Sequence, residues 1–197
     1  MDTSKNIGIM TLMVFYCSYF IKMLLQRRNG IKTDQMGKGS KPKRTFVIET
    51  ILKKIIFITA GVQFISIVFI KILPPLIHSN LMIYIGLMIA ILGLAVFITA
   101  MVTMRDSWRA GIDNTQKTAI IQTGIYKYSR NPAFVGFDFL YVGMAFAFSN
   151  FFNILFGFAS ILLLHLQILE EEKFLSTAFG NDYLEYKKKT RRYFGKK

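Results

Sequence analysis

The segment that decides the fold reads Thr123-Gly124-Ile125-Tyr126-Lys127-Tyr128-Ser129-Arg130-Asn131-Pro132-Ala133-Phe134-Val135-Gly136. Roughly thirty almost uninterrupted apolar residues follow it, which is enough for two membrane crossings and a tight turn. They end in the polar segment His165-Leu166-Gln167-Ile168-Leu169-Glu170-Glu171-Glu172. A helical hairpin would return this acidic segment to the membrane face where Arg130-Asn131-Pro132 lies. We therefore expect polar groups far apart in sequence to form one site at that face.

The composition predicts a multi-span membrane protein. The chain has 197 residues, of which 53% are hydrophobic, and its mean hydropathy is +0.40. The apolar residues fall in long blocks, unlike those of ordinary soluble domains. The single cysteine, Cys17, excludes an intrachain disulfide and a cysteine-based metal site. The two histidines, His78 and His165, are too few and too far apart to suggest zinc, so we expect no metal.

The basic charge indicates how the chain is oriented in the membrane. The formal net charge is +14, which raises nucleic acid as a partner. Of the 25 lysines and arginines, 23 fall in four places: Lys22, 27–54, 105–130 and 173–197. Only Lys5 and Lys71 are left for the opposite side, which is the positive-inside pattern. We expect an N-terminus outside, a cytoplasmic C-terminus, a polar site on the cytoplasmic face, and no nucleic-acid partner.

The hydropathy pattern predicts one all-α integral membrane domain, 1–197, with about five transmembrane helices. The expected spans are 7–25, 47–73, 81–104, 132–150 and 152–174, and the last two form a hairpin. A cleaved signal peptide is the alternative for the first span. That block lacks a small-residue cleavage site and ends in Lys22 and Arg27-Arg28, so we expect a retained helix.

Several residues within the spans bear on packing. Pro74-Pro75 is expected to stop the second span, because proline lacks an amide donor. Gly86 and Gly93 would let a neighbouring helix approach closely, but glycine is common in membrane helices, and we expect that general frequency to explain them. Asp138, two turns into the fourth span, is expected to pair with a basic neighbour or to face water.

The loop 27–46 contains glycines and Pro42 among basic residues. We expect it to be mobile, cytoplasmic and close to anionic headgroups, with a topological role. The later polar stretch 105–130 carries Trp108, a residue that suits the headgroup level.

Helix geometry leaves two explanations open for the triplet Glu170-Glu171-Glu172. The carboxylates would be solvated at the inner end of a membrane helix and would offset nearby basic residues. However, the negative C-terminal end of a helix dipole disfavours carboxylates, which suggests that one of them binds a cationic or donor-rich group. Gln167 and Glu171 are four residues apart and share a helix face. A small-molecule site on that face is therefore the alternative to a solvated triplet.

Two motifs resemble a known family. Arg130-Asn131-Pro132-Ala133-Phe134-Val135-Gly136, preceded by Gly124-Ile125-Tyr126, is similar to the Arg-His-Pro-x-Tyr-x-Gly signature of isoprenylcysteine carboxyl methyltransferases and related phospholipid methyltransferases. Glu171-Glu172-x-x-Leu175, followed by Phe179-Gly180-x-x-Tyr183-x-x-Tyr186 and Arg192, resembles the C-terminal signature of that family. Order and spacing match across 118–192, which we assign as the catalytic region.

The resemblance implies an integral membrane methyltransferase that uses S-adenosyl-L-methionine and releases S-adenosyl-L-homocysteine. It also implies a cytoplasmic cofactor pocket enclosed by the last two helices and their flanking segments. Glu171 would be the carboxylate that binds the cofactor, and Gln167 would occupy the position of an arginine at the reacting end of the substrate. Carried over by position, the other cofactor residues would be Thr118, Ala119, Ile120, Ile121, Tyr126, Asn131, Pro132, Ala133 and Phe134.

The sequence departs from the family signature at three positions. Asn131 replaces histidine and Phe134 replaces tyrosine; both can still pack, and asparagine can still form hydrogen bonds. Gln167 replaces arginine, so a neutral amide stands where a charged, bidentate group would grip a carboxylate.

The methyl acceptor stays open between carboxylates, such as prenylated thioethers, and amines, such as phosphoethanolamine lipids. In either case we expect a lipid-like or small apolar molecule that enters from the bilayer. An amine would need a base to remove a proton, for which His165 or a glutamate is available.

Two other functions compete with methyl transfer. A non-catalytic membrane scaffold derived from the same fold would have lost cofactor binding. A redox enzyme with a nicotinamide cofactor would need a dinucleotide-binding loop, and the sequence contains nothing that resembles one.

Overall fold

The computed structural model describes residues 2–112 and 119–196. The α-helices among these residues are α1 (Asp2–Arg28), α2 (Lys43–Val68), α3 (Asn80–Met104), α4 (Pro132–Ala147) and α5 (Phe151–Lys189). Short 3-10 turns at Arg105–Ser107 and Gly124–Lys127 lie between α3 and α4. The described ranges contain no β-strand, and only isolated bridges pair extended backbone there. The predicted all-α fold is confirmed.

Four of these helices, α1, α2, α3 and α5, are long and apolar enough to cross a membrane. The fifth, α4, is apolar but has only 16 residues. At ~1.5 Å per residue it is about 24 Å long, against a hydrocarbon core of ~30 Å. The prediction of an integral membrane protein is confirmed, whereas the boundaries of the individual crossings stay predictions. α2 ends at Val68, and a hydrogen-bonded turn leads from there to Pro74, so this helix stops before the prolines.

The helix bundle is apolar on its outside and partly polar inside. Phe57 and Leu81 are 80% and 70% exposed. In contrast, Thr59 and Ser160 are fully buried, and their hydroxyl oxygens lie 2.8 Å apart between α2 and α5. Large exposed apolar side chains promote aggregation in water but are favourable in contact with lipid. In a membrane, polar side chains form their hydrogen bonds between helices instead.

Glycines bring α3 and α4 into direct backbone contact. A Cβ atom added at Gly93 would lie 2.7 Å from the carbonyl oxygen of Gly136 and 2.8 Å from the amide nitrogen of Leu140. One added at Gly86 would lie 2.5 Å from the carbonyl oxygen of Gly143. The expectation that Gly86 and Gly93 reflect only the general frequency of glycine is therefore wrong. The two pairs recur every seven residues on both helices and set the helix separation.

A short turn joins α4 to α5. The side-chain oxygen of Asn150 caps α5 by accepting a hydrogen bond from the Asn153 amide at 3.0 Å. The side-chain nitrogen of Asn153 donates to the carbonyl oxygens of Met144 and Phe148, both at 2.9 Å. These bonds satisfy carbonyl groups at the end of α4. The turn sends α5 back toward the end of the bundle where α4 begins.

The loop between α1 and α2 is hydrogen-bonded to the segment after α3. Ala110 donates its amide to the Thr33 carbonyl at 2.9 Å, and Gln35 donates its amide to the Ala110 carbonyl at 2.8 Å. Gly111 has φ of 89° and packs so tightly on Met36 that a Cβ atom would lie 2.7 Å from the Met36 nitrogen. The loop expected to be mobile and merely topological is therefore a bound part of this end of the bundle.

The glycine contact predicts a stability difference between two substitutions. Gly93→Ala would force α3 and α4 apart, and overpacking of this kind costs about 1–3 kcal/mol. We therefore expect it to lower the thermal unfolding temperature in mild detergent. The control is Gly61→Ala in the middle of α2, because an added Cβ atom there meets nothing within 4 Å. Equal unfolding temperatures for the two variants would contradict the tight α3–α4 contact.

Candidate functional site

The two sequence motifs meet at a buried ion-pair network. The Arg130 Nη2 lies 2.5 Å from the Glu172 Oε1, and the Arg192 Nη2 lies 2.9 Å from the Glu172 Oε2. The Arg130 and Glu172 side chains are only 4% and 5% exposed. A carboxylate away from water needs compensating charge and donors, which the two guanidinium groups supply. The network joins the start of α4, the middle of α5 and the C-terminal tail.

The tail 190–196 also packs over the turn that precedes α4. Arg130 donates its amide to the Arg191 carbonyl at 3.1 Å, and Gly195 donates its amide to the Tyr128 carbonyl at 2.7 Å. The Tyr186 hydroxyl of α5 donates to the Tyr126 carbonyl at 2.6 Å. The segment 126–130 is therefore held from two sides.

The three glutamates of α5 face three different neighbours. Glu170 accepts a hydrogen bond from the Thr45 hydroxyl at 2.7 Å and pairs with Lys173, which joins α5 to the start of α2. Glu172 belongs to the arginine network. Glu171 accepts a hydrogen bond from the Gln167 Nε2 at 3.4 Å. Among the described residues, Glu171 is the member of the triplet that forms no ion pair.

Gln167 is fully buried between two carboxyl groups. Its Nε2 lies 3.2 Å from the Glu49 Oε1 and 3.4 Å from the Glu171 Oε1. Its side-chain oxygen is buried and has no hydrogen-bond partner in the ranges that the structure describes. Leaving a buried acceptor unsatisfied costs about 1–3 kcal/mol, so this oxygen is a point where a ligand donor would add binding energy.

Glu49 of α2 lies at the centre of this cluster and is fully buried. Its two oxygens accept four hydrogen bonds from separate parts of the chain. The donors are the Gly37 amide at 2.9 Å, the Lys41 Nζ at 2.6 Å, the Ile112 amide at 2.8 Å and the Gln167 Nε2 at 3.2 Å. One carboxylate therefore joins the first loop, the segment after α3, and α5 to α2.

Lys41 supplies the compensating charge from the first loop. Its side chain is 3% exposed, and its Nζ donates both to Glu49 and to the Gln35 carbonyl at 2.7 Å. An ammonium group and a carboxylate that are both removed from water are tolerated because each is paired and hydrogen-bonded.

Tyr126 is buried next to this cluster. Its hydroxyl lies 3.3 Å from the Met104 sulfur at the end of α3. Burial raises the pKa of Tyr126, and the nearby Tyr186 and Glu171 raise it further. The hydroxyl is therefore neutral at physiological pH, and Tyr126 is an uncharged aromatic residue near Glu171.

The segment Asn131-Pro132-Ala133-Phe134 starts α4. Pro132 occupies the first helical position, where its missing amide donor costs nothing. The Asn131 side-chain nitrogen donates to the Arg192 carbonyl at 3.3 Å. Ala133 and Phe134 are partly buried against the apolar core of the bundle. The segment 131–134 therefore contacts the C-terminal tail through Asn131 and the apolar core through Ala133 and Phe134.

The predicted residues before the second 3-10 turn lie elsewhere. Ala119 and Ile120 line an open depression of about 390 Å³ against the last part of α5. The other lining residues are Gln122, Phe179, Asp182, Glu185 and Lys189. Ile121 is partly buried. Thr118, predicted with them, lies outside the described residues. The structure therefore groups Gln167, Glu171 and Tyr126 together, and places Ala119 and Ile120 at a neighbouring surface.

A separate polar group lies deeper in the bundle. Asp138 Oδ1 is buried and has no hydrogen-bond partner among the described residues. Tyr193 of the tail stacks on His165 and contacts its Nδ1 through the hydroxyl. Burial, together with the nearby Asp138, raises the pKa of Tyr193. In the part of the chain that the structure describes, no basic residue forms an ion pair with Asp138, so the expected pairing is not seen.

Glu49 and Lys41 were not predicted as site residues. A signal for Glu49 existed, because it is the one carboxylate of the apolar block 47–73, and an acidic residue there is usually paired or functional. Its partners could not be read from the sequence, since Ile112 and Gln167 come from distant segments.

Two comparisons with known proteins bear on this arrangement. The family described as phospholipid methyltransferase matches residues 81–182, a little more than half of the chain, from α3 into α5. The protein-S-isoprenylcysteine O-methyltransferase of Saccharomyces cerevisiae is 30% identical over 123 residues, which covers 60% of this chain. The chain spans about half the length of that curated relative, 51% of it.

The arginine network predicts a large stability effect at Glu172. Glu172→Ala would leave Arg130 buried without its carboxylate, and breaking a buried ion pair typically costs about 3–5 kcal/mol. We expect a marked fall in the unfolding temperature, measured by fluorimetry in mild detergent.

The matched control for Glu172 is Glu185→Ala, also in α5 but beyond the kink at Gly180, where φ is 52°. Glu185 and Lys189 are 70% and 74% exposed and 3.9 Å apart, and an exposed pair contributes at most ~1 kcal/mol. If both alanine variants unfolded at the wild-type temperature, the network would have no structural role.

Proposed function

This chain belongs to the phospholipid methyltransferase family, and we propose that it is a membrane methyltransferase that transfers a methyl group from S-adenosyl-L-methionine to a lipid-like or small apolar acceptor. The observation that carries the proposal is the meeting of the two motifs inside the matched region. Arg130 and Glu171 are 41 positions apart in sequence, yet the Arg130–Glu172 ion pair joins the segments of the two motifs.

The residues around Glu171 fit a cofactor that carries hydrogen-bond donors and a positive charge. Glu171 offers a carboxyl group that forms no ion pair within the described ranges. Tyr126 adds a neutral aromatic wall. We propose that Glu171 binds an amino or hydroxyl group of S-adenosyl-L-methionine and that Tyr126 packs on its adenosine part. Asn131, Pro132, Ala133 and Phe134 would support that wall, with Ala119, Ile120 and Ile121 along its edge. Thr118, proposed with them as a cofactor residue, lies outside the described residues.

The proposed methyl transfer requires few specialised groups from the protein. S-adenosyl-L-methionine, when bound, supplies a methyl group on a sulfonium, which an acceptor lone pair takes in line as the carbon–sulfur bond breaks. The residues of this chain need to position the two reactants and exclude water. Burial of Gln167 and Glu49 gives such a water-poor setting. Gln167 would lie at the reacting end of the acceptor.

The basic segments support a cytoplasmic site. The Ala110 amide bonds to the Thr33 carbonyl, and the Arg130 amide bonds to the Arg191 carbonyl, so the described parts of the segments 27–54, 105–130 and 173–197 meet at one end of the bundle. Positive charge concentrated at one end is typical of the cytoplasmic face. We therefore propose that the site and the C-terminus are cytoplasmic and that the N-terminus is outside.

The cofactor assignment predicts an effect on ligand affinity. We expect calorimetry on purified protein in detergent to give micromolar binding of S-adenosyl-L-homocysteine. Glu171→Ala should weaken this binding at least tenfold, or about 1.4 kcal/mol, because it removes the acceptor for a ligand donor.

The control for this experiment is Glu170→Gln in the same triplet. Glu170 faces Thr45 and Lys173, away from the proposed ligand, and glutamine keeps its shape. We expect near wild-type affinity. Unchanged affinity in Glu171→Ala would remove Glu171 from the site, and no binding at millimolar ligand by folded wild-type protein would refute the cofactor.

The topology predicts opposite labelling of two introduced cysteines. In a Cys17→Ser background, an impermeant maleimide added to intact cells should label His78→Cys in the turn after α2. It should leave Lys188→Cys near the C-terminal tail unlabelled until the membrane is permeabilised. Both positions are exposed, so access to the side chain itself is not the difference. The reverse pattern would contradict the proposed orientation.

A further inference from the structure

The neighbours of Gln167 fix the orientation of its side-chain amide. Glu49 accepts N–H bonds from Gly37, Lys41 and Ile112, so its oxygens act as acceptors throughout. The Gln167 group that faces the Glu49 Oε1 at 3.2 Å must therefore be the donor, Nε2. Turning the amide over would place two acceptor oxygens against each other. The oxygen of Gln167 is thereby left as the buried acceptor without a partner in the described ranges.

The charges of the cluster also favour a ligand that donates a hydrogen bond. Two carboxyl groups, Glu49 and Glu171, contact Gln167. Within the described ranges one cation, Lys41, contacts Glu49, and its Nζ is already bound to that carboxylate and to the Gln35 carbonyl. A ligand carboxylate would therefore meet acceptor atoms and like charge, which is unfavourable in a buried setting. A ligand N–H or O–H group would satisfy the Gln167 oxygen.

We propose that Glu49, held by Lys41, is a positioning residue that locks the Gln167 amide with its oxygen toward the acceptor. The site therefore selects acceptors that carry an N–H or O–H donor at the reacting atom and disfavours ionised carboxylates. The lone pair of such an acceptor takes the methyl group as the carbon–sulfur bond breaks, and the N–H or O–H proton passes to the carboxylate of Glu171, which contacts Gln167. This inference rests on the proposed methyl transfer and deepens it by naming the class of acceptor. It also gives the first loop a direct part in specificity, because Lys41 and Gly37 hold Glu49 from that loop.

The test compares two acceptors of different chemistry in the full-length protein with S-adenosyl-L-methionine. One is phosphatidylethanolamine in vesicles, which offers an amine, and the other is an S-prenylated N-acetylcysteine, which offers a carboxylate. We would measure kcat and KM for each acceptor, and in parallel the Kd of S-adenosyl-L-homocysteine. The wild-type protein should have the higher kcat/KM with the amine.

Two variants test whether Glu49 and Lys41 hold the Gln167 amide in this orientation. The double variant Glu49→Gln with Lys41→Met removes the buried ion pair together, keeps similar shapes and frees the Gln167 amide to turn. We expect the amine-to-carboxylate ratio of kcat/KM to fall three- to tenfold, mainly through KM, and the Kd of the cofactor product to rise by a smaller factor. Gln167→Arg should lower the ratio more than tenfold, because it adds a charged donor for a carboxylate.

The matched control is Asp34→Asn with Lys53→Met. This pair also joins the first loop to α2, at 2.7 Å, but it is exposed and does not touch Gln167. Its acceptor ratio should equal that of the wild type, and a similar fall in the control would reduce the role of Glu49 to general stability.

Three results would overturn the inference while the cofactor still binds. They are a wild-type preference for the carboxylate, turnover of neither acceptor, and a ratio that stays unchanged in the Glu49 and Lys41 double variant. Failure of folded wild-type protein to bind S-adenosyl-L-homocysteine would instead overturn the proposed function itself.

Discussion

A carboxylate removed from water has to find a donor for each lone pair and a compensating positive charge. Glu49 meets both demands by drawing on the first loop, the segment after α3, and α5. Because its four donors come from distant parts of the chain, these parts cannot move independently without leaving the charge unsatisfied. The geometry of Gln167, and through it the surroundings of Glu171, depends on this one group.

Within the apolar part of the bundle a different constraint operates. Exposed apolar side chains gain nothing by burial when lipid surrounds them, so helix association depends on close contact. The glycine pairs of α3 and α4 provide that contact through the backbone. They fix where α4 begins relative to the end of α3. The arginine network at Glu172 then fixes α5 relative to that beginning.

The sequence predicted the all-α membrane fold and the meeting of the Arg130 and Glu171 segments, because both follow from hydropathy and from the length of the apolar stretch between them. The role of Gly86 and Gly93 was misjudged, since spacing on one helix does not reveal which residues the partner helix presents. The expectation that the first loop is mobile is wrong for a related reason. Glycines and lysines in a loop resemble a flexible linker, and only the folded chain brings Lys41 to Glu49.

The family resemblance supplied the candidate site, and the contacts now distinguish among its members. Gln167, Glu171 and Tyr126 are neighbours, whereas Ala119 and Ile120 lie along a depression on the last part of α5. The residue that organises the first group, Glu49, lies outside both motifs and outside the matched region 81–182. A signature confined to the C-terminal half of the chain does not identify a partner residue in the N-terminal half.

The central claim is that a cofactor site lies beside Glu171 and is held in place by Glu49. Hydrogen–deuterium exchange of the purified protein, with and without saturating S-adenosyl-L-homocysteine, tests it most directly. The account predicts slower exchange on ligand addition in peptides that contain Gly37, Ile112 and Tyr126, because the Glu49 cluster and the wall beside Glu171 would be ordered together. Unchanged exchange in all three peptides despite saturating ligand, or protection confined to other parts of the chain, would contradict it.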